Sequence, residues 1–400
     1  MYIGFTSHPD LRHIYSERLY LITFLCTSYV LLSLPLFIIM FNKIWRIDPK
    51  ILFIKYLDKP LKPTFSINDK YIYYPLWVIT ILSFFITIYL LIGSPLLDFL
   101  LGKSVNISQS RIEYSRGSGG SELIRGIFGN GFLPLCSYIA YSYMKMYKKF
   151  QWKIMFFILF VNSALIYGAS MSKSAIAFYI LSFILLKVLI EGKISNKQII
   201  NSAIIVTSVV LLMYIVTNEN FIDLVLDYET LIFGGGPIGR MIFGQLVGFV
   251  NTLNVFPEYH SFLFGADFAF LRFLGMDFID SARVVMTFVN PAGIERGTVG
   301  VMNSLFIAEA YANFGYIGIA FAPFIVALIL QFFTLLLYKL PKTPLVTGWW
   351  IYIMFLFSQG ITGGLFSEFI FNTRVIGVTF LTILLYFSGH ILHSIFGRKL

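Results

Sequence analysis

Between Asp280 and Gly315 the chain gathers two arginines, three carboxylates, three asparagines and a tyrosine in about 36 residues. The run reads Asp280-Ser-Ala-Arg283-Val-Val-Met-Thr-Phe-Val-Asn290-Pro-Ala-Gly-Ile-Glu295-Arg296-Gly297, then Asn303-Ser-Leu-Phe-Ile-Ala-Glu309-Ala-Tyr311-Ala-Asn313-Phe-Gly315. A planar guanidinium grips phosphate or carboxylate through two parallel hydrogen bonds, which an ammonium cannot do. Arg283 and Arg296 are therefore candidate anion holders. If 303–316 is helical, Glu309, Asn313 and Tyr316 share one face at i, i+4 and i+7. An ionisable group near membrane depth costs about 2.5–3.5 kcal/mol on insertion scales, so it defaults to a functional reading. The bland alternative is a structural ion pair, with Asp280 or Glu295 neutralising Arg283 or Arg296.

The positioning elements follow from composition. Of 400 residues, 58% are hydrophobic and 12% charged, against about a quarter charged in soluble domains. Mean hydropathy is +0.79. Several runs exceed the ~18 apolar residues that cross a hydrocarbon core. The chain is predicted to be an all-α polytopic membrane protein, one integral domain over 1–400. Spans are predicted at 19–41, 72–93, 124–146, 152–170, 174–191, 199–217, 311–338, 346–362 and 374–396, with the first uncleaved. A short or re-entrant helix over 240–256 is a further candidate; whether it spans decides the alternation of the chain.

Charge type then orients the chain. Lysines crowd one side: Lys43, Lys50, Lys55, Lys59, Lys62, Lys70, the hairpin Lys145, Lys148, Lys149 and Lys153, then Lys187, Lys193, Lys197, Lys339, Lys342 and Lys399. The other side holds Arg12, Arg18, Arg111, Arg116, Arg125, Arg240, Arg272, Arg283, Arg296 and Arg374, with only Lys103 and Lys173. Cytoplasmic loops carry excess positive charge, so the lysine side is predicted to be inside and the arginine side outside. The net charge of +10 is thereby accounted for by topology and anionic lipid, not nucleic acid. Two outer segments stand out: a polar Gly/Ser-rich loop at 94–123 and a larger, apolar loop at 218–302. Loops that long are usually functional.

Other motifs are weaker. Gly234-Gly-Gly-Pro-Ile-Gly239-Arg240-Met241 lacks the Lys-Ser/Thr of a nucleotide-binding loop; a backbone turn approaching a lipid phosphate, with Arg240 beside it, is one reading and a flexible helix entry the other. Arg125 begins a predicted span, where it either meets a head group or snorkels to the interface. Arg374 and Glu368 bracket the last outer loop, with Gly363 and Gly364, and are candidates for the same pocket. His260 is the lone histidine of the large loop. Cys26 and Cys136 sit in apolar runs without metal-ligand spacing. Neither a metal nor a cofactor is expected.

The Phe/Tyr/Ile-rich bundle, the large late loop with Arg283 and Arg296, and the run Asn303 to Gly315 entering the next span together resemble the O-antigen polymerases, the Wzy-type polymerases of oligosaccharide repeat units. The resemblance covers most of the chain in architecture. It implies a helix bundle of about 9–11 spans roofed by a periplasmic loop, similar to metal-independent GT-C-type glycosyltransferases. It implies location in the bacterial inner membrane, with the active site facing the periplasm. Its substrates would be undecaprenyl-diphosphate-linked oligosaccharides: one lipid-linked chain loses its carrier diphosphate, and a lipid-linked unit supplies the acceptor hydroxyl. Membrane lipids and a chain-length regulator are the other implied partners. Under that reading Arg283 and Arg296 bind the diphosphate, with Arg240 and Arg125 in support, because fixed cations aimed at developing charge stabilise a leaving group. The acceptor hydroxyl needs a general base: Glu309 first, then Glu295, then Asp280. Tyr311 and Asn303 would orient sugar hydroxyls. An O-antigen ligase, relying on His260, and a non-catalytic flippase or transporter are the rival readings.

Overall fold

The computed structural model describes residues 11, 14, 16–65, 69–103, 107–116, 124–193, 195–217, 237–297 and 299–396. The glycine-rich stretches at 117–120 and 234–236 and Arg12 lie outside them, as do the side chains of Arg116, Arg240 and Arg272. The described residues form helices and connections with no strand. In chain order these are α1 (Glu17–Ile44), α2 (Pro49–Asp58), α3 (Lys70–Leu91), α4 (Pro95–Leu100) and α5 (Ile107–Arg116). A π-helix over Ile124–Phe132 leads into α6 (Leu133–Tyr147), α7 (Phe150–Ala169), α8 (Lys173–Glu191) and α9 (Asn196–Thr217). Then come α10 (Pro237–Val255), a 3-10 turn (Ala269–Leu274), α11 (Ser281–Val289) and α12 (Pro291–Glu295). The chain closes with α13 (Phe306–Lys339), α14 (Pro344–Gly363), α15 (Ser367–Ile370) and α16 (Thr373–Phe396).

Among the described residues seven helical stretches are long and apolar enough to cross a membrane: α1, Tyr71–Leu91, α7, α8, α13, Pro344–Ile361 and Ser367–Leu392. The predicted 124–146 span is not one regular helix. Its first nine residues are π-helical and α6 follows. The distortion is held by side chains: Tyr167 and Tyr352 both donate their hydroxyls to the Asn130 carbonyl, at 2.9 and 3.0 Å. A π-turn loosens the intrahelical ladder and leaves such a carbonyl free for an outside donor.

The chain divides into two compact units. The first comprises residues 1–47, 218–332 and 357–373. In it Leu11, Ile14 and Tyr20 pack against Phe243, Val247 and Val250 of α10. Alongside, α1 lies against α13 through Phe37 and Phe41 on Phe324 and a bond from Tyr29 Oη to the Ala320 carbonyl. Gln331 and Asn42, both buried, hydrogen-bond to each other, which satisfies polar groups that lipid would strand. The outward face of α1 is apolar and exposed at Leu21, Phe24, Leu31 and Leu32, as a bilayer-facing helix requires.

The second unit comprises 48–217, 333–356 and 374–400. Its interior is aromatic: Tyr138, Tyr143, Tyr179 and Tyr352 are fully buried. Ser137 and Tyr179 share a hydroxyl bond of 2.8 Å, and Asn162 donates to Ser83 at 2.7 Å. Asp69 binds the amides of Thr64 and Phe65 at 3.0 and 3.1 Å and the Tyr147 hydroxyl at 2.8 Å, fixing the turn before α3. Lys342, one of the topology lysines, is only 3% exposed. Its ammonium donates to the last carbonyls of α2, at Leu57 (3.0 Å) and Tyr56 (3.4 Å), where a cation meets the negative end of the helix dipole. Burial pushes this ammonium down to about 8; Asp58 works against the shift and Lys59 with it.

Candidate functional site: an acidic cavity at the head of a membrane helix

In the first unit, α13 begins with the sequence that carries Glu309, and it is broken at Gly315. There the backbone is left-handed, with φ 61° and ψ −147°, a conformation glycine adopts without strain. A break leaves carbonyls unpaired. Those of Ala312 and Asn313 accept from the amides of Leu263 and Phe264, at 3.0 and 3.1 Å. Asn313 is fully buried and completes the clamp: its Nδ2 donates to the Glu309 carbonyl at 2.9 Å, and its Oδ1 accepts from Gly265 N at 2.8 Å. Helix α13 thus enters its unit as a short, pinned half-helix that presents Glu309.

Glu309 is 4% exposed and lines a cavity of about 140 Å³. One carboxylate oxygen accepts from the Ser367 amide at 3.2 Å. Three more acids line the same cavity: Asp267, Asp280 and Glu368. So do the hydroxyl residues Thr252, Ser281, Ser304 and Ser367, and among the described residues no lysine or arginine does. Close backbone approach forms one wall. At Gly248 of α10 a Cβ would lie 2.1 Å from the Asn303 carbonyl oxygen, so only glycine lets this strip reach α10. The neighbouring Ser304 hydroxyl donates to the Gln245 carbonyl at 3.2 Å.

Asp280 caps α11: its Oδ1 accepts from Arg283 N at 3.0 Å, a stabilising place for negative charge. The first turn of α11 then walls the cavity with Ser281 and Ala282, while Arg283 is exposed and outside the lining. Asn290 caps α12 through a 2.9 Å bond to Gly293 N, and Glu295 and Arg296 at its end are exposed. Neither Arg283 nor Arg296 forms an ion pair among the described residues.

The structure therefore gathers Glu309 and Asp280 in one cavity and leaves Glu295 outside it. Arg283 and Arg296 sit on successive short helices outside the cavity lining. Tyr311 is buried and donates its hydroxyl to the Phe256 carbonyl at 3.1 Å, so it braces the fold. Asn303 is exposed, and its carbonyl abuts Gly248. Arg125 belongs to the second unit, where its guanidinium donates to the Tyr114 carbonyl at 2.8 Å and lies 5.0 Å from the ring centroid. His260 places Nδ1 2.8 Å from the Ser261 carbonyl and does not line the cavity. Sequence reasoning passed over Asp267, which is 6% exposed. The signal was there: an acid inside the apolar run Phe264-Gly-Ala-Asp267-Phe-Ala-Phe270.

Chemically, the cavity offers acceptors and hydroxyls at short range. That set suits a neutral polyol, whose hydroxyls donate to carboxylates. Among the described residues no group of three or more His, Cys, Asp or Glu is placed to hold a metal ion. No protein family, no curated protein and no solved structure matches this chain.

Proposed function

We propose that this multi-pass membrane protein is a glycosyltransferase that polymerises oligosaccharide repeat units carried on undecaprenyl diphosphate, working at the periplasmic face of the bacterial inner membrane. The observation that carries the reading is Glu309: a buried carboxylate at the head of a membrane helix, facing a cavity of acids and hydroxyls. In the proposed step the acceptor sugar hydroxyl enters the cavity and gives its proton to Glu309. Its oxygen bonds to the anomeric carbon of the donor. The bond from that carbon to the diphosphate oxygen breaks, and the electron pair leaves with the carrier diphosphate. Arg283, three residues beyond Asp280 on a helix that walls the cavity, and Arg296 at the end of α12 hold the departing charge outside the cavity. Separation of the two subsites keeps the anion away from the acids. Asp280 and Glu368 bind acceptor hydroxyls.

One observation favours a second reading. Helix α13 is broken within its membrane-crossing length at Gly315, and broken helices with buried acids are a transporter device. Purified protein in proteoliposomes supplied with lipid-linked repeat units separates the two. The polymerase lengthens glycan on the carrier lipid; movement of the substrate across the bilayer with no lengthening overturns the enzymatic reading.

A further inference from the structure

The geometry points to a phospholipid site in the second unit: a pocket between α8 and α9 that takes an anionic phospholipid at the lysine-rich end of the bundle. It is independent of the proposed chemistry. The pocket is about 190 Å³ and is graded in polarity along the membrane axis. Lys187, Gln198 and Ser202 line one end, and Ile180, Ile184 and Ile205 line it further along the same helices. From Lys187 back to Ile180, and from Gln198 on to Ile205, each helix rises about 10 Å at 1.5 Å per residue. A phosphate at one end and acyl methylenes at the other match that gradient.

Charge selects the head group. Glu191 is taken by Lys145 at 2.8 Å and stands 4.0 Å from Lys187. Lys145 is itself steadied over the Tyr141 ring, 5.6 Å from its centroid, and Tyr141 lines the pocket. Among the described residues Glu191 is thus shared, close to Lys145 and only at the longer distance from Lys187, which keeps ammonium donors for a ligand. Lys148, Lys149 and Lys193 lie in the connecting turns and Lys197 in the first turn of α9, all exposed. A cluster of this kind beside an inter-helix pocket favours an anionic over a zwitterionic head group.

The test is native mass spectrometry of the full chain in detergent, titrated with phosphatidylglycerol, with phosphatidylcholine of the same acyl chains, and with inorganic phosphate. Phosphatidylglycerol should be retained at about fivefold lower concentration than phosphatidylcholine, the worth of one lysine at an anionic surface. Lys187→Gln should erase that preference and Lys187→Arg should keep it. Ile184→Trp fills the pocket without touching charge and should lower retention of both lipids. Lys55→Gln, on α2, should change nothing. Equal retention of the two lipids by the wild type, or an unchanged preference in Lys187→Gln, overturns the proposal. Should Lys187→Gln fail to fold, undiminished retention by Ile184→Trp overturns it alone. Full displacement of phosphatidylglycerol by inorganic phosphate would make the site one for free anions and also end the lipid reading.

Discussion

Two pockets of similar size in this chain have opposite character. The cavity of the first unit, about 140 Å³, is walled by non-helical strips and helix ends, and it collects four acids and four hydroxyl residues. The pocket of the second unit, about 190 Å³, lies between long regular helices and is apolar except at one end. The difference has a physical origin. A regular membrane helix satisfies its own backbone and leaves only side chains for its neighbours. A broken helix exposes carbonyls and amides, which draw in loops, caps and buried polar side chains. Gly315, Asn313 and the Ser367 amide do this around Glu309. Interruption of the helix is what lets the first unit bury acids.

That comparison can be broken at several points. Among the substitutions around Glu309, the largest effect is expected from removing both guanidiniums that flank the acidic cavity in sequence. Arg283→Ala with Arg296→Ala should cut polymer formation by about 10²–10³, the loss typical of a missing charge-stabilising donor. Long polymer at normal protein level in a polymerase-null strain would remove them from the mechanism. Next, Ser367→Pro deletes the amide that donates to Glu309 and also strains the turn, because a following proline disfavours the αR backbone of Phe366. A hydrogen bond to a charged group is worth about 1.5–3 kcal/mol, so turnover should fall by at least roughly ten- to a hundredfold. Gly315→Ala sharpens the role of the break: the new Cβ meets the Phe262 ring at 3.1 Å in a left-handed backbone. It should destabilise the first unit by about 1–3 kcal/mol, read as a lowered melting temperature in detergent.

The smallest effect concerns the second unit and pH. The Lys342 ammonium is held at about 8 in the folded protein, below its unfolded value of about 10.4. Between those values the unfolded chain binds more protons, so stability rises with pH there, and the burial penalty is fully present below pH 8. Thermal scans from pH 7.5 to 9.5 should show this upward drift in the wild type and lose it in Lys342→Met.

The sequence displayed the membrane class openly, because bilayer-facing helices such as α1 are apolar on nearly every side. It also displayed Glu309 and Asp280, acids set beside an apolar run. Less legible was their company. Asp267 reaches the cavity from a connection some 40 residues upstream of Glu309, and Ser367 and Glu368 arrive from more than 50 residues downstream. The break at Gly315 and the close approach at Gly248 help bring them together, and neither has a periodic signature. The regular-span reading of 124–146 missed the π-helix, since no hydropathy pattern encodes the tyrosine hydroxyls that hold it. Tyr311 looked like a sugar-binding residue because its hydroxyl was visible and the Phe256 carbonyl that takes it was not.

The proposed mechanism turns on Glu309 taking the proton of the acceptor hydroxyl. The direct measurement is single-turnover elongation by reconstituted wild type and Glu309→Gln at matched donor occupancy, read as glycan length on the carrier lipid. Glu309→Gln should hold the donor and lose about 10²–10⁴ in rate, as for a removed general base. Elongation by Glu309→Gln at the wild-type rate would contradict it.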